Sequence, residues 1–435
     1  MSAATVGILC FAAMALMILA GLPLCVSMLT CSFAGLYIIG GAKMLVAQLT
    51  NGVFNLSASY MLAVIPLFMV MGMLSGDTGI AEGTFASMKK WLGTIRGGLL
   101  YSVVAANMIF GACSGMSSAG DVVFSRIALP ELNRHGYDKG LSLGTITASG
   151  TLSVLIPPSI PIITFCLLTE VPIGAALVTG VSSGILFALL MFGMIAVYTR
   201  LHPEKIPPRD ETKVPFREKV ATLKLLAPIF CFFALIVGGS FAGWFPATTG
   251  GGIACCAVLI YALCKRMSLK TILKSVWNGL QGFGNVFVIV AGGQMFGRLV
   301  SMSGLAKTAV SFIETGHFAP YLVFTFVVIF YLFCGCFMDC LSIIIITVPI
   351  VYPMLSALGF HDLIIVMLLV FSCEVASLTP PVGVAVFHVA NCTKESTGFI
   401  FKNVVKFFLL DLSIIFIIAA FPNLILWLPK LMGYL

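Results

Sequence analysis

Apolar residues follow one another along this chain in runs long enough to cross a bilayer, and the polar punctuation between them sets where each helix stops. Met1 to Gly40 carries no charged residue, and neither does Leu225 to Cys264. A bilayer span takes about 20 apolar residues, so each stretch holds two helices. The first pair turns at Gly21-Leu22-Pro23 and the second between Phe245 and Gly251, where Pro, Thr and Gly interrupt the run. The first basic residue is Lys43; a cleaved leader would place positive charge ahead of its apolar segment, so the N-terminus reads as a retained helix.

Composition agrees with this pattern. Of 435 residues 60% are hydrophobic and 9% charged, and the mean hydropathy is +1.11, too few charges to cover a soluble globule. The expected fold class is an all-α polytopic membrane protein. The net charge of +8 has a local source and gives no reason to expect nucleic acid: Arg200, Lys205, Arg209, Lys213, Arg217, Lys219 and Lys224 share one linker. Lys265, Arg266, Lys270 and Lys274 follow two helices later, which returns the chain to the same, cytoplasmic, side. The 14 Cys lie mostly in apolar runs and lack zinc spacing, and the five His are dispersed, so no transition metal and no cofactor is expected.

The punctuation recurs. Pro157-Pro158 answers to Pro380-Pro381, Pro130 to Pro353, and Gly136-Tyr137 to Gly359-Phe360, all at one spacing; Gly72 and Gly79 answer to Gly297 and Gly304 at a spacing two residues longer. Two repeats follow, joined by the basic linker and a helical hairpin. The expected organisation is N-terminal scaffold helices over 1–59, a first repeat over 60–199, the cytoplasmic linker with a scaffold hairpin over 200–275, and a second repeat with a C-terminal helix over 276–435. The first repeat carries Lys89, Lys90, Arg96, Arg126, Arg134 and Lys139 where the corresponding stretches of the second have no Lys or Arg. Basic loops face the cytoplasm, so corresponding loops are expected on opposite sides, as in an inverted-topology repeat.

Each repeat has two places where a membrane helix should not continue. One is a polar tip: Gly111 to Asp121 in the first repeat, and Gly335 to Ser342 in the second. The other is a double proline, whose missing donors and steric clash are expected to unwind Ser149 to Ser159 and Glu374 to Val382. Unwound backbone at membrane depth is tolerated where it is buried in protein or lines a cavity. Its free carbonyls suit a hard cation such as sodium, and half-helix N-termini suit a carboxylate. The candidate sodium and substrate residues are Ser114, Gly115, Ser117, Ser118, Thr147, Ser149, Pro157, Pro158 and Ser159 in the first repeat. Asp339, Ser342, Glu374, Thr379, Pro380, Pro381 and Gly383 are their counterparts in the second. A lone Ser or Thr in a membrane helix commonly bonds back to its own helix, so the argument rests on four broken segments in matching positions. Intramembrane acids are costly, which marks Asp121, Asp339 and Glu374; Glu170 reads as interfacial. No enzyme is expected. Ser114 with His388 lacks the Gly-x-Ser-Gly setting of an intramembrane serine protease, and the paired Gly-x-Gly-Asp of the aspartyl type is missing.

In order along the chain, Ile65-Pro66-Leu67-Phe68, Gly97-Gly98-Leu99, Ser114-Gly115 with Met116 to Ala119, His135 to Asp138 and Ile156 to Pro161 resemble the large membrane subunit of TRAP (tripartite ATP-independent periplasmic) transporters, the DctM-like family. Phe337-Met338-Asp339, Pro349, Pro353, Glu374, Leu378 to Gly383, Phe421-Pro422 and Trp427 to Pro429 continue the likeness over essentially the whole chain. The resemblance implies sodium-driven import of carboxylate-bearing solutes across the bacterial inner membrane. It implies a periplasmic solute-binding protein that delivers the solute and a small four-helix membrane subunit that braces the large one. It also implies an elevator-type architecture in which two re-entrant hairpins, tipped near Ser114-Gly115 and Asp339, and two helices broken at the double prolines move against a scaffold. One departure is Met116, where the family often carries a third tip residue Ser, leaving Ser117 or Ser118 to supply the hydroxyl.

Two other functions compete. A stand-alone sodium/dicarboxylate symporter would carry paired Ser-Asn-Thr tips, which neither tip has. A non-transporting membrane scaffold subunit would tolerate changes at Pro157 or Pro380.

Overall fold

The computed structural model describes residues 2–60, 62–208, 214–239 and 242–435; Arg209 and Lys213 of the basic linker lie outside these. Among the described residues every regular element is helical. The N-terminal pair is α1 (Ala3–Leu19) and α2 (Leu24–Ser57), with the turn where Gly21-Leu22-Pro23 places it. Then come α3 (Val64–Asp77), α4 (Ile80–Leu92), α5 (Gly98–Ser114), α6 (Ser117–Arg134), α7 (Lys139–Gly150), the short α8 (Leu152–Leu155), α9 (Ile160–Thr169) and α10 (Ile173–Leu201). After the linker, α11 (Phe216–Phe233) runs into a π-turn over Ala234–Gly238, and α12 (Ala247–Cys264) follows. Thr248 to Gly251 are therefore helical, and this turn lies earlier than its glycines suggested. The remainder is α13 (Leu269–Ser303), α14 (Leu305–Thr315), α15 (Pro320–Gly335), α16 (Cys340–Ala357), α17 (Asp362–Ala376), α18 (Val384–Thr393), α19 (Thr397–Ala420) and α20 (Asn423–Leu431).

Among the described residues six helices are long and apolar enough to cross a membrane, or up to eight if two bent pairs each count as one span. Large apolar side chains such as Leu189, Phe326, Ile329 and Phe333 stand on the outside, as a lipid solvent permits. One series of elements recurs in order: a helix ending before a left-handed glycine (Gly79, Gly304), a hairpin with a short tip, a helix interrupted at a double proline, and a long helix. The first bent pair, α3 with α4, turns by 63° at Gly79, and the second, α7–α8 with α9, by 42° at Pro157-Pro158.

Two groups of helices meet face to face. In one, α2 lies along α13, and α3 packs between α13 and α12. Gly279 permits the close approach of α13 to α3, since a Cβ there would stand 2.7 Å from Val70 Cα. In the other, the hairpins and broken helices pack with α10 and α19. The basic ends converge at one pole. Lys89 pairs with Glu131, Lys90 with Glu218 at 3.5 Å, and Lys139 with Glu395 at 2.5 Å. There Asp138 N donates to Lys205 O at 2.9 Å, and Trp91 Nε1 to Lys219 O at 3.1 Å. From Glu395 at this pole, α19 runs about 36 Å to Ala419, whose carbonyl accepts from the Tyr321 hydroxyl at the start of α15 at 3.5 Å.

Candidate functional site

The first tip is a two-residue turn. Gly115 adopts φ 64°, a left-handed conformation that only glycine takes without cost, and Met116 is extended before α6 begins at Ser117. A Cβ on Gly115 would stand 2.5 Å from Pro158 O, so the tip lies directly on the first break. That break is Ile156 to Ser159, with a cis bond between Pro157 and Pro158, all buried. It is shorter than the expected Ser149 to Ser159. A proline clashes with the turn before it and removes only its own donor, so the helix persists to Leu155 with a local turn at Thr151.

Thr147 and Ser149 consequently stay helical and bond back to their own helix, to Leu143 O at 2.8 Å and Ile146 O at 2.9 Å. Ser159 instead caps α9, its side chain accepting from Ile162 N at 3.3 Å. Ser114 is buried with a hydroxyl that has no partner.

The second tip is Cys336 to Asp339. Gly335 brings it onto α17, since a Cβ there would collide with Ala376. Cys336 Sγ donates to Pro380 O at 3.0 Å, and Thr379 Oγ1 donates to Ala376 O at 2.6 Å. Asp339 occupies the N-cap position of α16, yet its side chain accepts no backbone N–H; it accepts instead from the Ser342 hydroxyl. The second break covers Ser377 to Gly383, so Glu374, expected in unwound chain, is in the last turns of α17. Pro380 and Pro381, joined by a cis bond, are exposed where Pro157 and Pro158 are buried. Gly383 takes φ 56°, and a Cβ there would meet the Phe401 ring at 2.7 Å.

Both tips and both broken helices contribute to one partly open cavity of about 110 Å³. Met116, Ser117 and Ser118 come from the first tip and Asp339, Cys340 and Leu341 from the second; Val154, Ile160, Pro161, Glu374, Ser377, Val384, Ala385 and His388 complete the wall. Of the residues named from sequence, Ser117, Ser118, Asp339 and Glu374 are thus brought together. Ser114, Gly115, Thr147, Ser149, Pro157, Pro158, Ser159, Ser342, Thr379, Pro380, Pro381 and Gly383 do not line this cavity. Glu374 Oε2 and His388 Nδ1 are buried without a hydrogen-bond partner, and Ser117 and Cys340 lie beside the Glu374 carboxyl. Glu374 is buried and Asp339 exposed, and among the described residues no Lys or Arg is on the cavity wall, so a charged Glu374 carboxyl is expensive there without a counter-ion. Oxygen donors of this kind fit a hard monovalent cation.

Sequence reasoning missed Asn107, which donates to Ser149 Oγ at 2.9 Å and accepts from Ser153 Oγ at 2.9 Å, tying α5 to the helix before the break. It also passed over Asp411, buried in α19 with both oxygens unpartnered, although an acid inside an apolar run was the available signal. Asp121 is likewise buried and unpartnered, against Gly150.

A multi-pass helical membrane protein that gathers two hairpin tips and two helix breaks around a cavity holding two carboxyls is built as a transporter. Residues 11–424 match the family described as "Tripartite ATP-independent periplasmic transporter, DctM component", and the chain belongs to that family. It is 27% identical over 390 residues to the C4-dicarboxylate TRAP transporter large permease protein DctM of Pseudomonas aeruginosa, covering 89% of this chain and 90% of the relative. It is 23% identical to the sialic acid TRAP transporter large permease protein SiaM of Vibrio cholerae, over 96% of this chain and 97% of the relative. With the ectoine/5-hydroxyectoine TRAP transporter large permease protein UehC of Ruegeria pomeroyi it shares 24%, over 97% and 98%. The fold resembles the crystal structure of the Alcanivorax borkumensis YdaH transporter, with a TM-score of 0.63 at 14% identity over 94% of this chain and 97% of that one.

Proposed function

We propose that this chain is the translocating subunit of a sodium-driven importer of carboxylate-bearing organic solutes in the bacterial inner membrane. The observation that carries the proposal is the shared cavity, where Ser117 and Ser118 of α6, Asp339 of the second tip and Glu374 of α17 come together from three separate elements with, among the described residues, no Lys or Arg on its wall. A bound sodium ion would offset the buried carboxyl charge and hold the two tips together, so loading the cation prepares the site for the solute.

On this reading a periplasmic solute-binding protein delivers the solute, and a small four-helix membrane subunit braces the group of helices built on α2, α3 and α13. The hairpins and broken helices slide against that group as an elevator. Inverted topology of the two repeats is part of the proposal. It is supported by the two ends of α19: Glu395 meets Lys139 at the basic pole, near the start of the first hairpin, whereas Ala419 meets Tyr321 at the start of the second. Uptake of labelled organic acids into vesicles that hold the chain with its small subunit, with candidate binding proteins outside, tests the function. Uptake that needs neither a sodium gradient nor a binding protein would overturn it.

A further inference from the structure

A cleft of about 660 Å³ adjoins this cavity, and Met116, Ser118 and His388 line both. On one side Asp77 ends α3 and Asn278 lies on α13; on the other, α6 presents a stripe from Ser118 to Arg126, and Glu82 opens α4, which packs on α5 and α6. Ser118, Val122 and Arg126 recur every four residues, so the stripe runs about 12 Å from the tip towards the Arg134 end of α6.

Arg126 is exposed in this cleft, and among the described residues no carboxylate lies within ion-pair distance of it. A guanidinium is the side chain best shaped to hold a carboxylate by two parallel hydrogen bonds. The cleft also holds two acids: Asp77, on the facing α3, accepts from Ser275 Oγ at 2.5 Å, and Glu82 at the start of α4 is exposed without an ion-pair partner among the described residues. Deeper in, the adjoining cavity adds Asp339 and Glu374. A solute with two carboxylates could satisfy Arg126 with one and would set the other among acids, where like charges discriminate against it. A solute with a carboxylate at one end and a protonated nitrogen at the other meets a partner on both walls. His388, whose Nδ1 is buried and unpartnered, stands where the cleft joins the cavity and has a hydrogen-bonding atom left for such a ligand.

We propose that this cleft binds a small zwitterionic organic solute, its carboxylate on Arg126, its cationic nitrogen facing Asp77 and Glu82, and His388 contacting its inner end. This rests on the transport reading above and narrows its substrate class.

The test is thermal unfolding of the purified full-length chain in sodium, titrated with δ-aminovalerate and with glutarate, two probes of similar length that differ in one end group. The expected result is that δ-aminovalerate stabilises at concentrations about tenfold lower than glutarate. Arg126→Gln should remove stabilisation by both probes, while Arg126→Lys, which retains the charge, should keep a weakened response and show that the fold survives. The pair Asp77→Asn and Glu82→Gln should reverse the preference towards glutarate. Glutarate binding as tightly as δ-aminovalerate to the unaltered chain, or stabilisation by neither probe, overturns the proposal. Sodium-driven uptake is read separately in vesicles: uptake of diacids without zwitterion preference sinks this inference and leaves the transport reading intact. Probe binding without any coupled uptake sinks the transport reading instead.

Discussion

The amide of Ile160 donates to the carbonyl of Gly115 at 3.2 Å, which joins the tip of the first hairpin to the first residue of the helix after the double proline. The second repeat makes the same kind of junction with different atoms, Cys336 Sγ to Pro380 O at 3.0 Å. Each tip is therefore fastened to the break of its own repeat. The shared cavity lies between two such fastened units, so a change in how they approach each other alters the cavity without unwinding either one.

Gly115→Ala should break the first unit. The left-handed φ costs a residue with a Cβ about 1–2 kcal/mol, and the added atom would collide with Pro158 O. The expected outcome is a melting temperature lowered by several degrees and uptake reduced by tenfold or more. Gly193→Ala, in α10 with open space around its position, should leave both unchanged. Equal effects of the two substitutions would show that the tip junction has no special part.

Topology can be read from labelling. With the exposed Cys231, Cys256 and Cys264 replaced by serine, a cysteine at Glu218 should react only with an impermeant reagent on the cytoplasmic side. One at Glu314, the α14 counterpart of the loop after Lys89, should react only from the opposite side. Labelling of both positions from one face would remove the inverted-repeat reading.

Coupling should follow sodium. With a sodium gradient and no pH gradient, vesicles are expected to accumulate solute; with a pH gradient alone they should not. The expectation comes from the cavity's oxygen donors, three hydroxyls (Ser117, Ser118 and Ser377) and two carboxyls around a space of about 110 Å³. Accumulation driven by pH in sodium-free buffer would make Asp339 or Glu374 a proton carrier.

The all-helical membrane class, the family and the approximate places of the tips and breaks were legible in the sequence, because lipid enforces long apolar runs and Gly and Pro interrupt them visibly. The extent of each break was not. Proline's effect is local, so Ser149 and Glu374 remained helical although they lie within the spans that the double prolines were expected to unwind. Which hydroxyls face the cavity was also hidden. Thr147 and Ser117 look alike as oxygen donors, and only packing reveals that one serves its own helix while the other sits at the helix start beside Glu374. The cleft along α6 was invisible for a related reason: Asp77, Arg126 and Asn278 are far apart in sequence, and each alone reads as an ordinary loop or interfacial residue.

Asp339→Ala should abolish sodium-coupled uptake while leaving the protein folded, and Asp339→Asn should leave a weak remnant. A carboxylate at membrane depth costs about 3 kcal/mol on insertion scales, so a folded chain that keeps one needs something to compensate it. Among the described residues no Lys or Arg lines the cavity that Asp339 faces. A helix cap would be the structural use of this residue, since Asp339 holds the N-cap position of α16. Its side chain, however, accepts no backbone N–H there and takes a hydrogen bond from Ser342 instead. Removing a capping side chain costs about 1 kcal/mol, and its lack of a capping bond here predicts a smaller loss of stability for the alanine variant. Sodium affinity and thermal stability measured on the same purified variant separate the two roles. The expected result is a melting temperature near that of the unaltered chain without sodium, and loss of the upward shift that sodium produces. If the variant melts early yet keeps a normal sodium-dependent shift, Asp339 serves the helix, and the cation ligands must be Glu374, the tip hydroxyls and backbone carbonyls.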